Sequence, residues 1–133
     1  KKIQNNFFTP KKQAKKIAFD SILYVNADRT NTRLLFLDSK GKIIFNRSQG
    51  NVGFKKAQRK KPFGVKILFD DFYSRISKFK FKRFIVCVKG FGYGRRSILK
   101  SIVGSRIRRK CVSIVDITCL PHNGTRSRRY PRI

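Results

Sequence analysis

Gly90-Phe91-Gly92-Tyr93-Gly94 is followed at once by Arg95 and Arg96. Glycines at alternate positions let a backbone approach a ligand closely, and the free N–H groups at a helix start attract an anion. Two arginines at that helix start oppose the positive end of the helix dipole by about 0.3–1 kcal/mol each, and a bound phosphate reverses the sign. A flexible turn alone accounts for the glycines but not for the arginines. The stretch is not a nucleotide loop, because no Gly-Lys-Ser/Thr follows. It is not a dinucleotide fingerprint either, because Arg95 occupies the third glycine position. What remains is a candidate phosphate site.

Other chemistry finds few residues to carry it. His122 is the only histidine, and a lone histidine with no Cys or Ser held against it is a poor activator of a nucleophile. Its place in Leu-Pro-His-Asn-Gly suits a turn, with Asn123-Gly124 supplying the positive φ. The chain has six aspartates and no glutamate. Asp70 and Asp71 are neighbours within one predicted helix and cannot both face one site. Asp38 and Asp116 sit at strand ends, so no carboxylate cluster for a metal nuclease is evident. Cys87, Cys111 and Cys119 form no C-x-x-C pair, which removes a zinc ligand set. Cys111 and Cys119 flank a predicted strand that holds them roughly 26 Å apart. All three read as reduced thiols used as small hydrophobes. We expect no catalytic residue, metal or cofactor.

Charge is the strongest signal. Lys and Arg number 34 against 6 acids, a net charge of +28. Such a surplus repels itself and attracts polyanions, nucleic acid before an anionic membrane. Residues 53–66 hold six cations, 89–110 eight, and 120–133 four, with no acid in any of the three stretches. The first twenty residues hold six more. An ordinary solvated surface mixes signs. Aromatics lie among these cations: Phe54 beside Lys55, Phe91 and Tyr93 before Arg95, Tyr130 after Arg129. Rings stack on exposed bases and guanidinium groups fork onto phosphates, so the mixture suits RNA. We expect these cationic loops to gather at one rim of the domain.

No run approaches the ~18 apolar residues of a membrane span, and the first twenty residues carry no secretory signal. They read as a basic arm, with an organellar targeting remnant as the alternative.

The elements that must position these loops follow from pattern. Strands are predicted over 21–27, 32–38, 42–48, 83–89 and 111–118, with a hairpin turn at Asp38-Ser39-Lys40-Gly41-Lys42. The apolar runs are nearly continuous, which suits strands covered on both faces. Pro62 opens a helix over 62–79, whose Val65, Leu68, Phe72, Ile76 and Phe79 recur at steps of three and four. A second short helix follows the glycine turn and carries Ile98, Leu99, Ile102 and Val103, with Gly104 weakening or ending it. The order β-β-β-α-β-α-β predicts an α/β fold with a mixed β-sheet and packed helices. The chain divides into a basic arm (1–20), an α/β domain (21–119) and a basic tail (120–133).

Two stretches carry a resemblance. "VKGFGYGRRSILKSI" resembles the "VKGPGPGRES" segment of the universal small-subunit ribosomal protein eleven, a platform protein. "VDITCLPHNGTRSRRYPRI" is similar to that family's terminal "DVTPIPHNGCRPPKRRR". Weaker agreement extends back through "GNVGFKKAQRKKPFGVKILFDDF" and "LYVNADRTNTRLLFLDSKGK", so that residues 21–133 match in order. The resemblance implies a ribonuclease H-like sheet without nuclease chemistry. It implies a structural protein that binds small-subunit rRNA at the platform, near the messenger exit site, beside ribosomal proteins eighteen and seven. It implies no membrane and no homo-oligomer. It carries RNA contact onto Asn31, Gly53, Phe54, Lys55, Arg59 and Lys60, then Lys89, Gly90, Gly92, Gly94 and Arg95, then His122, Asn123, Gly124, Arg126 and Arg128. Pro62 and Pro121 match as well. Lys56, Tyr93, Arg96 and Arg129 join the candidate RNA-binding set by charge and stacking.

Departures from the family pattern are specific. Phe91 and Tyr93 replace prolines, Arg96 replaces an acid, and Thr125 replaces a cysteine. This divergence, with abundant Lys and Phe, suggests an organellar version, mitochondrial before plastid. A free-standing RNA- or DNA-binding protein, such as an RNA chaperone, is the alternative.

Overall fold

The computed structural model describes residues 19–126 and 129. Strands β1 (Ser21–Ala27), β2 (Thr32–Asp38) and β3 (Ile43–Ser48) come first, and helix α1 (Pro62–Ile76) follows. Then come β4 (Phe84–Lys89), α2 (Gly94–Gly104) and β5 (Cys111–Asp116). The expected order of elements holds. Short 3-10 turns at Gln49–Val52, Lys56–Lys60 and Arg106–Lys110 add to it.

The strands form one mixed sheet in the order β3-β2-β1-β4-β5. β1 pairs antiparallel with β2 and parallel with β4, while β5 joins β4 in parallel. β1 alternates strictly: Leu23 and Val25 are buried, whereas Ile22 and Tyr24 are half-buried. The buried set meets Leu34, Phe36, Val86 and Val88 on one face, where Val65, Leu68 and Phe72 of α1 and Ile98 and Ile102 of α2 complete the core. Phe36 is its hub, with ring centroids 6.2 Å from Phe72 and 5.2 Å from Phe81.

Three expectations change. Both helices pack on a single face of the sheet. The register aligns Leu37, Ile22 and Ile85, and likewise Leu35, Tyr24 and Cys87, on the other face. That second apolar face made the strand runs look continuous. Helix α1 stops at Ile76, short of residue 79. Ser74 and Ser77 turn their hydroxyls back onto main-chain carbonyls, as serine does at helix ends, and Phe79 is left exposed. β5 ends at Asp116, whose carboxylate folds the next residues into a tight turn.

β1, β3, β4 and β5 run in one direction, so their C-terminal ends share one rim. The β1–β2 corner, the loop before α1, the glycine turn and the chain leaving β5 all lie there. The turn at Asp38–Lys42, the end of α1 and residues 105–110 lie at the opposite rim. Among the described residues, no helix is long and apolar enough to cross a membrane.

Phe36→Ala is expected to cost about 3–5 kcal/mol, since a fully buried aromatic leaves a cavity. Urea denaturation measures it, and a loss under about 1 kcal/mol contradicts this core.

Candidate nucleic-acid interface

The glycine turn is built into the rim by contact with the β1–β2 corner. Gly92 donates its N–H to the Ala27 carbonyl at 2.8 Å. A Cβ at Gly90 would collide with that same carbonyl, one at Gly92 with the Asp28 carbonyl, and one at Gly94 with the Thr32 hydroxyl. Gly90 also takes φ +92°. The close approach that the glycines permit is therefore to the protein's own backbone, which leaves Phe91 and Tyr93 pointing out, 72% and 71% exposed.

Arg95 closes the same turn. Its Nη2 lies 2.7 Å from Asp116 Oδ2, and its Nη1 donates to the Gly90 carbonyl at 3.2 Å and to Thr118 Oγ1 at 3.3 Å. Thr118 donates its hydroxyl to Asp116 Oδ1 at 2.6 Å and accepts the Gly90 N–H at 3.1 Å. The arginine's hydrogen bond, followed by those of Thr118, holds the Asp116 carboxyl well below the usual carboxylate range. Arg95 thus ties α2, the glycine turn and the exit of β5 into one unit. Arg96, one residue on, is exposed and has no ion-pair partner among the described residues.

The loop before α1 hangs on a residue that pattern reading misses. Gln49 is fully buried. Its Oε1 accepts the Thr32 N–H at 3.2 Å, and its Nε2 donates to the Lys61 carbonyl at 3.3 Å. It ties the start of β2 to the residue that opens α1. A polar residue between a strand and a glycine loop reads as surface, and only the fold puts it inside. Arg59 turns inward as well, with Nε donating to the Phe54 carbonyl at 3.0 Å. The Phe54 ring meets Phe63 edge-on, centroids 6.4 Å apart. With Gly53 at φ +93°, these contacts leave Lys55, Lys56 and Lys60 exposed.

Asn31 forms the β1–β2 corner: its Oδ1 accepts the Thr32 N–H at 2.9 Å and its carbonyl accepts the Asp28 N–H at 2.9 Å. Lys89 is exposed at the end of β4. The tail leaves from the same rim. Ile117 extends the β4–β5 pairing through its N–H to the Val88 carbonyl at 2.9 Å. His122, Asn123 (φ +49°), Gly124, Arg126 and Arg129 are exposed beyond it. Arg128 lies outside the described residues, as do residues 1–18 of the expected arm.

The rim thus gathers Asn31, residues 53–60, residues 89–96 and the start of the tail. It does not gather all of 89–110. Arg106, Arg108, Arg109 and Lys110 follow α2 to the opposite rim, because the helix carries the chain across the sheet. Among the described residues, no three His, Cys or Asp side chains converge as a metal site would need.

The pattern of the family described as ribosomal protein S11 matches residues 21–132. The small ribosomal subunit protein uS11 of Buchnera aphidicola subsp. Cinara cedri is 30% identical over 124 residues, covering 93% of this chain and 94% of the relative. That of Treponema pallidum subsp. pallidum is 32% identical over 127 residues, covering 94% and 98%.

A carboxyl with a lowered pKa adds stability that is present above its unfolded value, about 4, and fades as pH falls below that value. Asp116→Asn is therefore expected to lower the urea midpoint at pH 7. The gap to the unsubstituted chain narrows once the pH drops below about 4. A gap that is absent at pH 7, or that widens in acid, contradicts the Arg95–Asp116 tie.

Proposed function

The chain belongs to the ribosomal protein S11 family, a structural constituent of the small ribosomal subunit and not an enzyme, and we propose that the rim described above is its rRNA-binding surface. One observation carries the proposal. Lys55, Lys56 and Lys60 of the loop before α1 and Arg96 of the first turn of α2 come to one rim, exposed and without an ion-pair partner among the described residues.

Exposed cations held on a rigid frame gain by releasing the counterions condensed on RNA phosphates. Lys55, Lys56, Lys60, Lys89, Arg96, Arg126, Arg128 and Arg129 take phosphates. Tyr93 offers a ring to an unpaired base. Gly53, Gly90, Gly92, Gly94, Asn31, Phe54, Arg59 and Arg95 shape the loops, and His122, Asn123 and Gly124 turn the tail outward. The rRNA element is the platform near the messenger exit site, with ribosomal proteins eighteen and seven as neighbours. The family pattern in the glycine turn and the Pro-His-Asn-Gly tail supports that placement. The excess of Lys and Phe, with about a third of residues shared with the bacterial relatives, supports an organellar ribosome, mitochondrial before plastid.

Lys55/Lys56/Lys60→Ala is expected to weaken binding to a platform rRNA fragment and to flatten the log–log salt dependence by roughly 2–3 units, about 0.7–0.9 for each phosphate that the variant leaves unneutralised. Titrations from low to physiological salt measure the slope. An unchanged slope removes this loop from the interface. In lysate, co-sedimentation with the organellar small subunit is the expected result, and a purely soluble pool contradicts the reading.

A further inference from the structure

Helices α1 and α2 lie side by side on the sheet, and an open cleft runs between them. Phe63, Phe69 and Tyr73 of α1 line one side, and Ser97, Ser101 and Gly104 of α2 line the other. Positions 97, 101 and 104 are four and three apart, so they share one face of α2. Small side chains there let another backbone come close. A Cβ added at Gly104 would meet nothing within 4 Å, so the cleft is open at that end. A second hollow continues from it across α2, joined through Pro62, and carries Phe91 and Val103 before it meets the rRNA rim at Arg96.

The apolar groups of this surface are left in water. Phe63 is 66% exposed and Val103 52% exposed, and Phe91 stands out beside them where the family pattern has proline. Contiguous apolar surface of this kind marks a protein contact. Val103 has no ring to stack on a base, and a phosphate gains nothing by covering it. The edges of the cleft are cationic. Lys66, Lys100 and Arg106 are exposed along it, Asp70 is the one acid that lines it, and none of the four forms an ion pair among the described residues.

We propose that the cleft docks an acidic amphipathic helix of a neighbouring protein in the small subunit. Apolar residues at steps of three and four enter between α1 and α2, and flanking Asp or Glu side chains meet Lys66, Lys100 and Arg106. The 11 residues of α2 span about 16 Å, so about three turns of the partner helix fill the cleft. The apolar centre supplies the binding energy, and the charged edge selects an acidic partner over the basic chains and the RNA around it. This docking rests on the chain's place in the small subunit and not on the rRNA rim.

Photocrosslinking in small subunits assembled with the full chain tests it. Benzophenone is tethered at Phe63→Cys or Val103→Cys, each in a Cys119→Ser background, and mass spectrometry reads what becomes joined. Both positions are expected to join one protein segment, with apolar residues at steps of three and four and with more acids than cations. Lys56→Cys, treated in the same way, is expected to join rRNA. Gly104→Leu has room to fold but fills the cleft, and Lys66/Lys100→Gln leaves the cleft open but less charged. Each is expected to cut the yield from position 63 at least about threefold while leaving the Lys56→Cys product unchanged. Joining of positions 63 and 103 to rRNA, or to a basic or non-amphipathic segment, overturns the proposal. So does the lack of any product in subunits that contain the protein, or a yield that neither variant lowers. Loss of the rRNA product at Lys56→Cys alone counts instead against the rRNA rim.

Discussion

Close packing of the glycine turn into the β1–β2 corner is the constraint on which the cationic rim rests. Gly90, Gly92 and Gly94 lie against Ala27, Asp28 and Thr32 with no room for a side chain. Arg95 then locks the turn to Asp116 and Thr118. Three pieces of chain far apart in sequence are brought to one edge by this junction. The sheet supplies the direction, because four strands end at that edge. Gln49 does the same work for the loop before α1. Interior hydrogen bonds, not surface lysines, decide where the surface lysines stand.

The charge balance gives that rigidity its purpose. Among the described residues, Asp71 is paired with Arg47 and Arg75, and Asp116 with Arg95. The Asp20 carboxylate caps the Lys82 N–H. With 34 cations and six acids, most positive charges have no counterpart in the chain. Self-repulsion of that size destabilises a compact state, and a bound polyanion offsets it, so RNA acts as a stabilising ligand. Loops held open on a fixed frame lose little conformational freedom on binding.

Strands 21–27 and 32–38 were legible to the residue, because turn residues, Asp20, Asp28 to Asn31 and Asp38 to Gly41, bound their apolar runs. The helices were legible in place and type, and α1 was overrun by three residues because serine capping leaves no trace in apolar periodicity. Continuous apolar runs suggested strands covered on both faces, and the helices cover one. The runs instead reflect a second apolar face. The arginines after the glycine turn looked equivalent, yet the fold commits Arg95 to the scaffold and leaves Arg96 facing outward. Residues 89–110 read as one cationic block, which α2 divides between opposite rims. Gln49 gave no sequence signal, since burial of a lone amide depends on partners seventeen residues back and twelve ahead.

Directed radical cleavage of rRNA tests the central claim most directly. In a Cys119→Ser background, an iron chelate is tethered at Lys55→Cys, Tyr93→Cys or Asn123→Cys, and each protein is assembled into small subunits. Overlapping strand scission in one rRNA neighbourhood from all three positions is the predicted result. Intact rRNA around all three tethers, in subunits that contain the protein, would contradict the account.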